Sequence, residues 1–90
     1  MNEQQREIVD ILQEECAEVI QMVSKCRRFG IDMTHFKDGG TNRERLAEEV
    51  GDVQCMINLL IERGVVSQEA VDDAAKAKAK KLRQWSSIYG

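Results

Sequence analysis

Two pairs of carboxylates lie three residues apart, each pair on its own segment of the chain. The first pair is Glu15 and Glu18, and the second is Glu49 and Asp52. Residues three apart occupy neighbouring positions on one face of a helix. Carboxylate oxygens from two adjacent helices can bind divalent cations, or they can meet several basic side chains. The spacing therefore indicates a site for positive charge between two helices.

The four carboxylates fall on or beside apolar stripes of these helices. Counting about 100° per residue places Glu15 inside the first stripe and Glu18 at its edge. Glu49 and Asp52 fall between apolar residues of the second stripe. The stripes consist of Ile8, Leu12, Val19, Met22, Val23 and Cys26, and of Leu46, Val50, Val53, Met56, Ile57 and Leu60. Because a core-facing carboxylate is costly unless a positive group meets it, we expect a metal site inside a helix bundle.

The residue types at this site favour a hard cation. An all-oxygen ligand set is typical of Mg²⁺ or Mn²⁺, whereas zinc and copper prefer nitrogen or sulfur. A di-iron bundle would use Glu-x-x-His pairs, and the single histidine, His35, falls in a predicted loop. The predicted cofactor is therefore Mg²⁺, with Mn²⁺ as the second choice. If the helical register is displaced by one residue, the four carboxylates are ordinary solvated charges.

The capping signals predict three helices in one domain spanning residues 1–90. The first helix covers about 3–29 and ends at Gly30. The second begins after Thr41, ends near Gly64 and is followed by a third that Ser67 caps. The apolar arc of the second helix is wide, and three helices make a thin core. We therefore expect an all-α helical bundle of about three helices per chain, with a four-helix-type core completed in a homodimer or homotetramer.

Three lysines are candidates for binding phosphate. Lys78 falls in the middle of an apolar stripe on the third helix, and Lys81 lies at its edge. Each either extends its ammonium group into water or places it near the carboxylates or a phosphate. Lys25 follows Glu18 by seven residues, about two turns along the same face of the helix, and can reach a substrate phosphate. His35 and Lys37, which share a glycine-containing loop at 30–41, either close over a ligand or are ordinary exposed residues.

The composition narrows the classes of partner. The chain is 42% hydrophobic and 32% charged, and its net charge of −3 gives no reason to expect a nucleic-acid polymer as partner. No stretch of about 18 apolar residues is present, so we expect no membrane span. The first residues lack an apolar signal core, which favours the cytoplasm. Three cysteines without a CxxC pair are typical of reduced, helix-borne thiols.

The two carboxylate motifs together resemble those of a known family. Residues 14–18, Glu-Glu-Cys-Ala-Glu, and residues 49–52, Glu-Val-Gly-Asp, resemble the EExxE…ExxD signature of the MazG-like all-α nucleoside triphosphate pyrophosphohydrolases. Residues 46–53, Leu-Ala-Glu-Glu-Val-Gly-Asp-Val, resemble the sequence that family members usually have around the second motif. The ending 78–85, Lys-Ala-Lys-Lys-Leu-Arg-Gln-Trp, resembles the lysine-containing last helix of small phage and bacterial members. The resemblance extends over about 7–85.

The resemblance implies a fold and an activity. Members hydrolyse the α–β phosphoanhydride of nucleotides to a nucleoside monophosphate and pyrophosphate, and they are dimers or tetramers of helical bundles with the active site near subunit contacts. The family pattern implies that magnesium is bound by Glu15, Glu18, Glu49 and Asp52. One carboxylate would orient or deprotonate the attacking water, with Glu15 and Glu18 as candidates. Lys78 and Lys81 would neutralise the leaving pyrophosphate.

Two other functions are compatible with the same residues. A phosphoribosyl-ATP pyrophosphohydrolase has a similar helical site and a different substrate. A non-enzymatic helical oligomerisation or interaction module would instead pair its carboxylates with Lys78 and Lys81 across a subunit interface. Metal ions would stabilise either enzyme by mass action, whereas they would change the stability of the salt-bridged module little.

Overall fold

Three α-helices account for most of the chain. The computed structural model describes residues 1–34 and 39–90. Within them, α1 spans Glu3–Phe29, α2 spans Asn42–Glu62 and α3 spans Gln68–Trp85, and no strand is present apart from an isolated bridge between Thr34 and Thr41. The predicted all-α class and all three helices are confirmed. None of these helices combines the length and the apolar character that crossing a membrane requires.

The ends of the helices follow their local sequence. Thr41 and Ser67 accept hydrogen bonds from the third backbone N–H of their helices, as their residue types predicted. Gly30 ends α1 with a φ of 95°, in the region that favours glycine. The start of α1 has a reciprocal capping box between Asn2 and Gln5, which our sequence analysis did not identify.

Polar contacts at both ends hold α1 and α2 together as an antiparallel hairpin. At one end Asn42 is almost fully buried, and its Nδ2 donates to the Gly30 carbonyl oxygen at 2.9 Å. The Asn42 backbone N–H donates to the Met33 carbonyl at 3.0 Å. At the other end Gln5 Nε2 donates to the Arg63 carbonyl at 2.8 Å. These bonds fix the register in which the two helices face each other.

The buried core of the described residues lies between α1 and α2. Ile8, Met56 and Leu60 form its centre, with Met22 buried further along α1. Partly buried side chains pack around that centre: Val9, Ile11, Leu12, Leu59 and Val65. Two residues of the apolar stripes, Val23 and Val50, are 42% and 49% exposed. Two helices cover only the sides that face each other, so the rest of a wide apolar arc stays open to solvent.

The third helix lies apart from this core. α1 and α2 pack extensively against each other, and α3 has no comparable contact with either. None of its residues is buried. The Cα radius of gyration is 16.0 Å, whereas a compact chain of this length has about 12 Å. A single copy is thus an extended arrangement of a hairpin and a helix.

Candidate metal centre

The two carboxylate motifs meet at the middle of the hairpin. Glu15 lies halfway along α1, and Glu49 and Asp52 lie halfway along α2. One carboxylate oxygen from each of these three residues lies within 4.8 Å of the other two. We refer to Glu15, Glu49 and Asp52 as the carboxylate cluster. Glu15 precedes Glu49 by 34 residues and Asp52 by 37 residues, so the antiparallel pairing of the helices brings Glu15 to the other two.

The cluster is suited to a hard divalent cation. Oxygen ligands lie about 2.0–2.1 Å from Mg²⁺, so two ligands of one ion are separated by at most about 4.2 Å. The oxygens of the cluster lie within 4.8 Å of one another, which is close to that limit. Glu15 and Glu49 are half-buried and Asp52 is exposed, so the cluster lies at the surface of the hairpin. The donor set and its spacing therefore fit Mg²⁺ or Mn²⁺.

The surroundings of Glu15 raise the pKa of its carboxyl group. Partial burial is the largest cause that raises the pKa of Glu15 above its ordinary value of 4.5. The next causes, in decreasing order, are the negative charges of Asp52, Glu49 and Glu18, followed by a hydrogen bond with Asp52. Burial and the neighbouring negative charges thus both favour the protonated form of Glu15 more than in an isolated glutamate.

Glu18 lies outside the cluster. Its side chain is exposed, and it lines an adjoining pocket of about 240 Å³. Both helices contribute to this mixed-charge pocket, which consists of Glu18, Gln21, Met22, Lys25, Arg45 and Glu49. Glu49 belongs to both groups, so the pocket opens directly beside the cluster. Three of the four predicted carboxylates therefore form the cluster, and the fourth, Glu18, lines the adjoining pocket.

The three predicted phosphate-binding lysines have different surroundings. Lys25 lines the mixed-charge pocket. Lys78 is exposed on α3, with its ammonium nitrogen 5.4 Å from the centre of the Trp85 ring. Lys81 is exposed on the same helix. Lys25 thus lies beside Glu18 and Glu49, whereas Lys78 and Lys81 lie on α3, which packs little against the hairpin. His35 and Lys37 lie outside the described residues.

Two polar residues of the pocket were missed in our sequence analysis. Arg45 is half-buried, and its guanidinium Nε is shielded from solvent. It precedes Glu49 by four residues, one turn of α2. Gln21 follows Glu18 by three residues on α1. Helical spacing from the predicted carboxylates would have identified both, since positions three and four apart share a face.

An apolar groove lies on the same hairpin toward the start of α1. Ile8, Ile11, Met56 and Leu59 line it together with polar side chains at its rim, and its volume is about 310 Å³. Ile8 and Met56 also belong to the buried core. This groove extends the apolar surface of the hairpin to its exterior.

No protein-family model, curated protein or solved structure matches the chain.

Proposed function

We propose that this protein is a Mg²⁺-dependent nucleotide pyrophosphohydrolase that cleaves the α–β phosphoanhydride of nucleoside or deoxynucleoside triphosphates. The observation that supports it most is the carboxylate cluster: Glu15, Glu49 and Asp52 bring oxygens within 4.8 Å of one another from two helices. The resemblance of the two motifs to the MazG-like signature supplies the reaction class. The cofactor proposed is Mg²⁺, and Mn²⁺ fits the same donors.

The roles proposed for the carboxylates follow from their positions. Glu15, Glu49 and Asp52 would hold the metal, and Glu18 would lie beside it at the pocket. A divalent cation bound there would neutralise the negative charge on the phosphate oxygens as the phosphoanhydride bond breaks. Glu18 faces the pocket and belongs to no close carboxylate group, so we assign it, ahead of Glu15, to accept the proton of the attacking water.

The reaction balances with these groups. Water attacks the α-phosphorus, and its proton passes to Glu18. The bond between the α-phosphorus and the bridging oxygen breaks, and pyrophosphate leaves with the electron pair of that bond. The products are a nucleoside monophosphate and pyrophosphate. Nearby cations stabilise the pyrophosphate as its charge develops.

A second copy of the chain is the proposed partner for α3. The thirteen acidic and eight basic residues of 1–66 give a net charge of −5, whereas the three acidic and five basic residues of 67–90 give +2. Most of a helix's stability in a protein comes from packing of its amphipathic face, and no residue of α3 is buried. Packing of α3 on the hairpin of another copy would bury its apolar stripe, pair opposite charges and complete a four-helix core. It would also bring Lys78 and Lys81 toward a partner's carboxylates.

The same surfaces support a second candidate, the non-enzymatic interaction module. The specific observation in its favour is that α3 exposes lysines at 78 and 81 while the hairpin exposes a carboxylate cluster. In that case Lys78 and Lys81 neutralise the cluster across an interface and no metal is needed. A phosphoribosyl-ATP substrate remains the alternative within the enzyme class.

Two measurements test these proposals together. The first is the melting temperature with and without Mg²⁺ or Mn²⁺, which rises for a metal site by mass action. The second is pyrophosphate release across a panel of nucleoside triphosphates, deoxynucleoside triphosphates and phosphoribosyl-ATP. A metal-induced rise with pyrophosphate release supports the hydrolase and names its substrate. An unchanged melting temperature without pyrophosphate release favours the interaction module.

A further inference from the structure

The mixed-charge pocket differs from the carboxylate cluster in the sign of its charges. Two basic side chains, Lys25 from α1 and Arg45 from α2, line it from opposite helices. They face two carboxylates, Glu18 and Glu49, so the pocket alone has no net charge. The amide of Gln21 adds a neutral donor and acceptor. A cavity that places cations on both walls is suited to an anionic group that bridges them.

The volume of the pocket limits what enters it. Pockets that enclose a drug-sized ligand have about 300–1,000 Å³, and this one has about 240 Å³. None of its lining residues is aromatic, so it offers no surface on which a base would stack. The pocket therefore accommodates a chain of phosphate groups and leaves the nucleoside outside.

Charge neutralisation makes the pocket and the cluster act together. The four carboxylates and the two cations leave two negative charges at the site, which repel a phosphate chain. A divalent cation in the cluster cancels that excess, so the net repulsion of the phosphate chain is removed and Lys25 and Arg45 can bind it directly. Lys25 is exposed, whereas Arg45 is half-buried. Arg45 offers the planar fork that binds phosphate in a bidentate manner, and Lys25 offers a mobile point charge.

We propose that Lys25 and Arg45 bind the distal phosphates of the substrate in the mixed-charge pocket, so that the enzyme selects nucleotides by the length of their phosphate chain. This inference rests on the proposed function and adds Arg45 and Gln21 to the site. Because the pocket holds phosphates and not the base, selection among bases would depend on surfaces outside it. Triphosphates are the class of substrate that fills the cluster and the pocket at once.

The test is a calorimetric titration of the protein with inorganic tripolyphosphate in Mg²⁺. Lys25→Gln removes one pocket cation at an exposed position. Arg27→Gln is the matched control, because it lies two residues further along α1, removes the same charge and lines a different surface of that helix. Loss of a charge-assisted hydrogen bond is expected to weaken binding at least about tenfold in Lys25→Gln. Arg27→Gln is expected to stay within about twofold of the wild type.

Further arms separate the phosphate chain from the nucleoside. AMP and an ATP analogue with a carbon bridge between the α- and β-phosphorus are titrated into the same proteins. The loss in Lys25→Gln should be large for the ATP analogue and small for AMP. Arg45→Gln should reproduce the pattern, and since Arg45 is half-buried its folding is checked by circular dichroism. Equal affinity of Lys25→Gln and Arg27→Gln for tripolyphosphate would overturn the proposal.

The failure of this inference can be told apart from the failure of the proposed function. The function fails if Mg²⁺ alone does not raise the melting temperature and no nucleotide releases pyrophosphate. The pocket assignment fails if the wild type binds metal and releases pyrophosphate while the Lys25→Gln and Arg27→Gln proteins behave alike toward tripolyphosphate.

Discussion

The α1–α2 hairpin and α3 have similar helical patterns but very different surroundings. On the hairpin, Ile8, Met56 and Leu60 are buried against each other, and the carboxylate motifs meet at the middle. On α3 no residue is buried, and the ammonium group of Lys78 lies over the Trp85 ring of the same helix. An amphipathic sequence therefore specifies a helix but does not supply the surface that buries its apolar stripe. The hairpin contains its own partner, whereas α3 requires another.

The largest expected effect concerns the cluster on the hairpin. Glu49→Gln and Asp52→Asn should each abolish both the Mg²⁺-dependent rise in melting temperature and pyrophosphate release, because each removes a metal ligand. The metal-free fold should persist and gain stability, since a like charge is removed. Glu48→Gln, an exposed neighbour on α2, is the control. Activity near wild type in either cluster variant would end the assignment.

The next effect separates metal binding from turnover within the hairpin. Glu18→Gln should retain the Mg²⁺-dependent rise in melting temperature, because the three clustered carboxylates remain. Turnover should fall by about 10²–10⁴, the range for loss of a general base. Glu14→Gln, an exposed carboxylate on the same helix, should keep its rate. Loss of the metal effect in Glu18→Gln would make Glu18 a ligand and return the base to Glu15.

A third prediction tests whether α3 contributes to the site on the hairpin. Lys78→Met keeps the packing of the stem and removes the charge. If α3 of a second copy brings Lys78 to the phosphates, turnover should fall about a hundredfold or more, as expected for loss of a group that stabilises developing charge. Lys80→Met, on the other side of α3, should change little. Equal turnover in the two variants would show that Lys78 only extends into solvent.

The effect of protein concentration on stability should differ between variants of the hairpin and variants of α3. Leu60→Ala removes a buried side chain of the hairpin and should lower the free energy of unfolding by about 2–5 kcal/mol. Leu82→Ala on α3 should act through assembly, so its effect on melting temperature should depend on protein concentration. Light scattering at micromolar concentration should show a dimer or tetramer for the wild type and a smaller species for Leu82→Ala. A well-folded wild-type monomer would contradict the proposed assembly.

The smallest effect is the pH dependence contributed by Glu15. Its pKa is raised in the folded protein, so above pH 4.5 the folded state holds this proton more firmly than the unfolded state. The contribution of Glu15 to stability is therefore present below its unfolded pKa and lost as pH rises through its folded pKa. Urea unfolding in chelator should show the stability of wild type falling relative to Glu15→Gln over this range. A wild-type stability that rises relative to the variant would contradict the raised pKa.

Local sequence signals were sufficient for the helices and for the ligand candidates. Capping by Thr41 and Ser67 and the stop at Gly30 act over a few residues, so they can be recognised without knowing the fold. The three-residue spacing of each carboxylate pair is equally local. The stripe pattern also identified Ile8, Met22, Met56 and Leu60 as apolar partners, because helical periodicity depends only on position along the chain.

The tertiary structure decided which of these residues meet. Pairing of α1 with α2 grouped Glu15 with Glu49 and Asp52, left Glu18 beside the pocket and opposed Lys25 with Arg45. Periodicity assigns a face to each residue, but it does not say which other helix that face meets or how far the covering extends. For that reason Val23 and Val50 are exposed despite lying on apolar stripes. Burial depends on a second surface, and along α3 a single copy of the chain does not provide one.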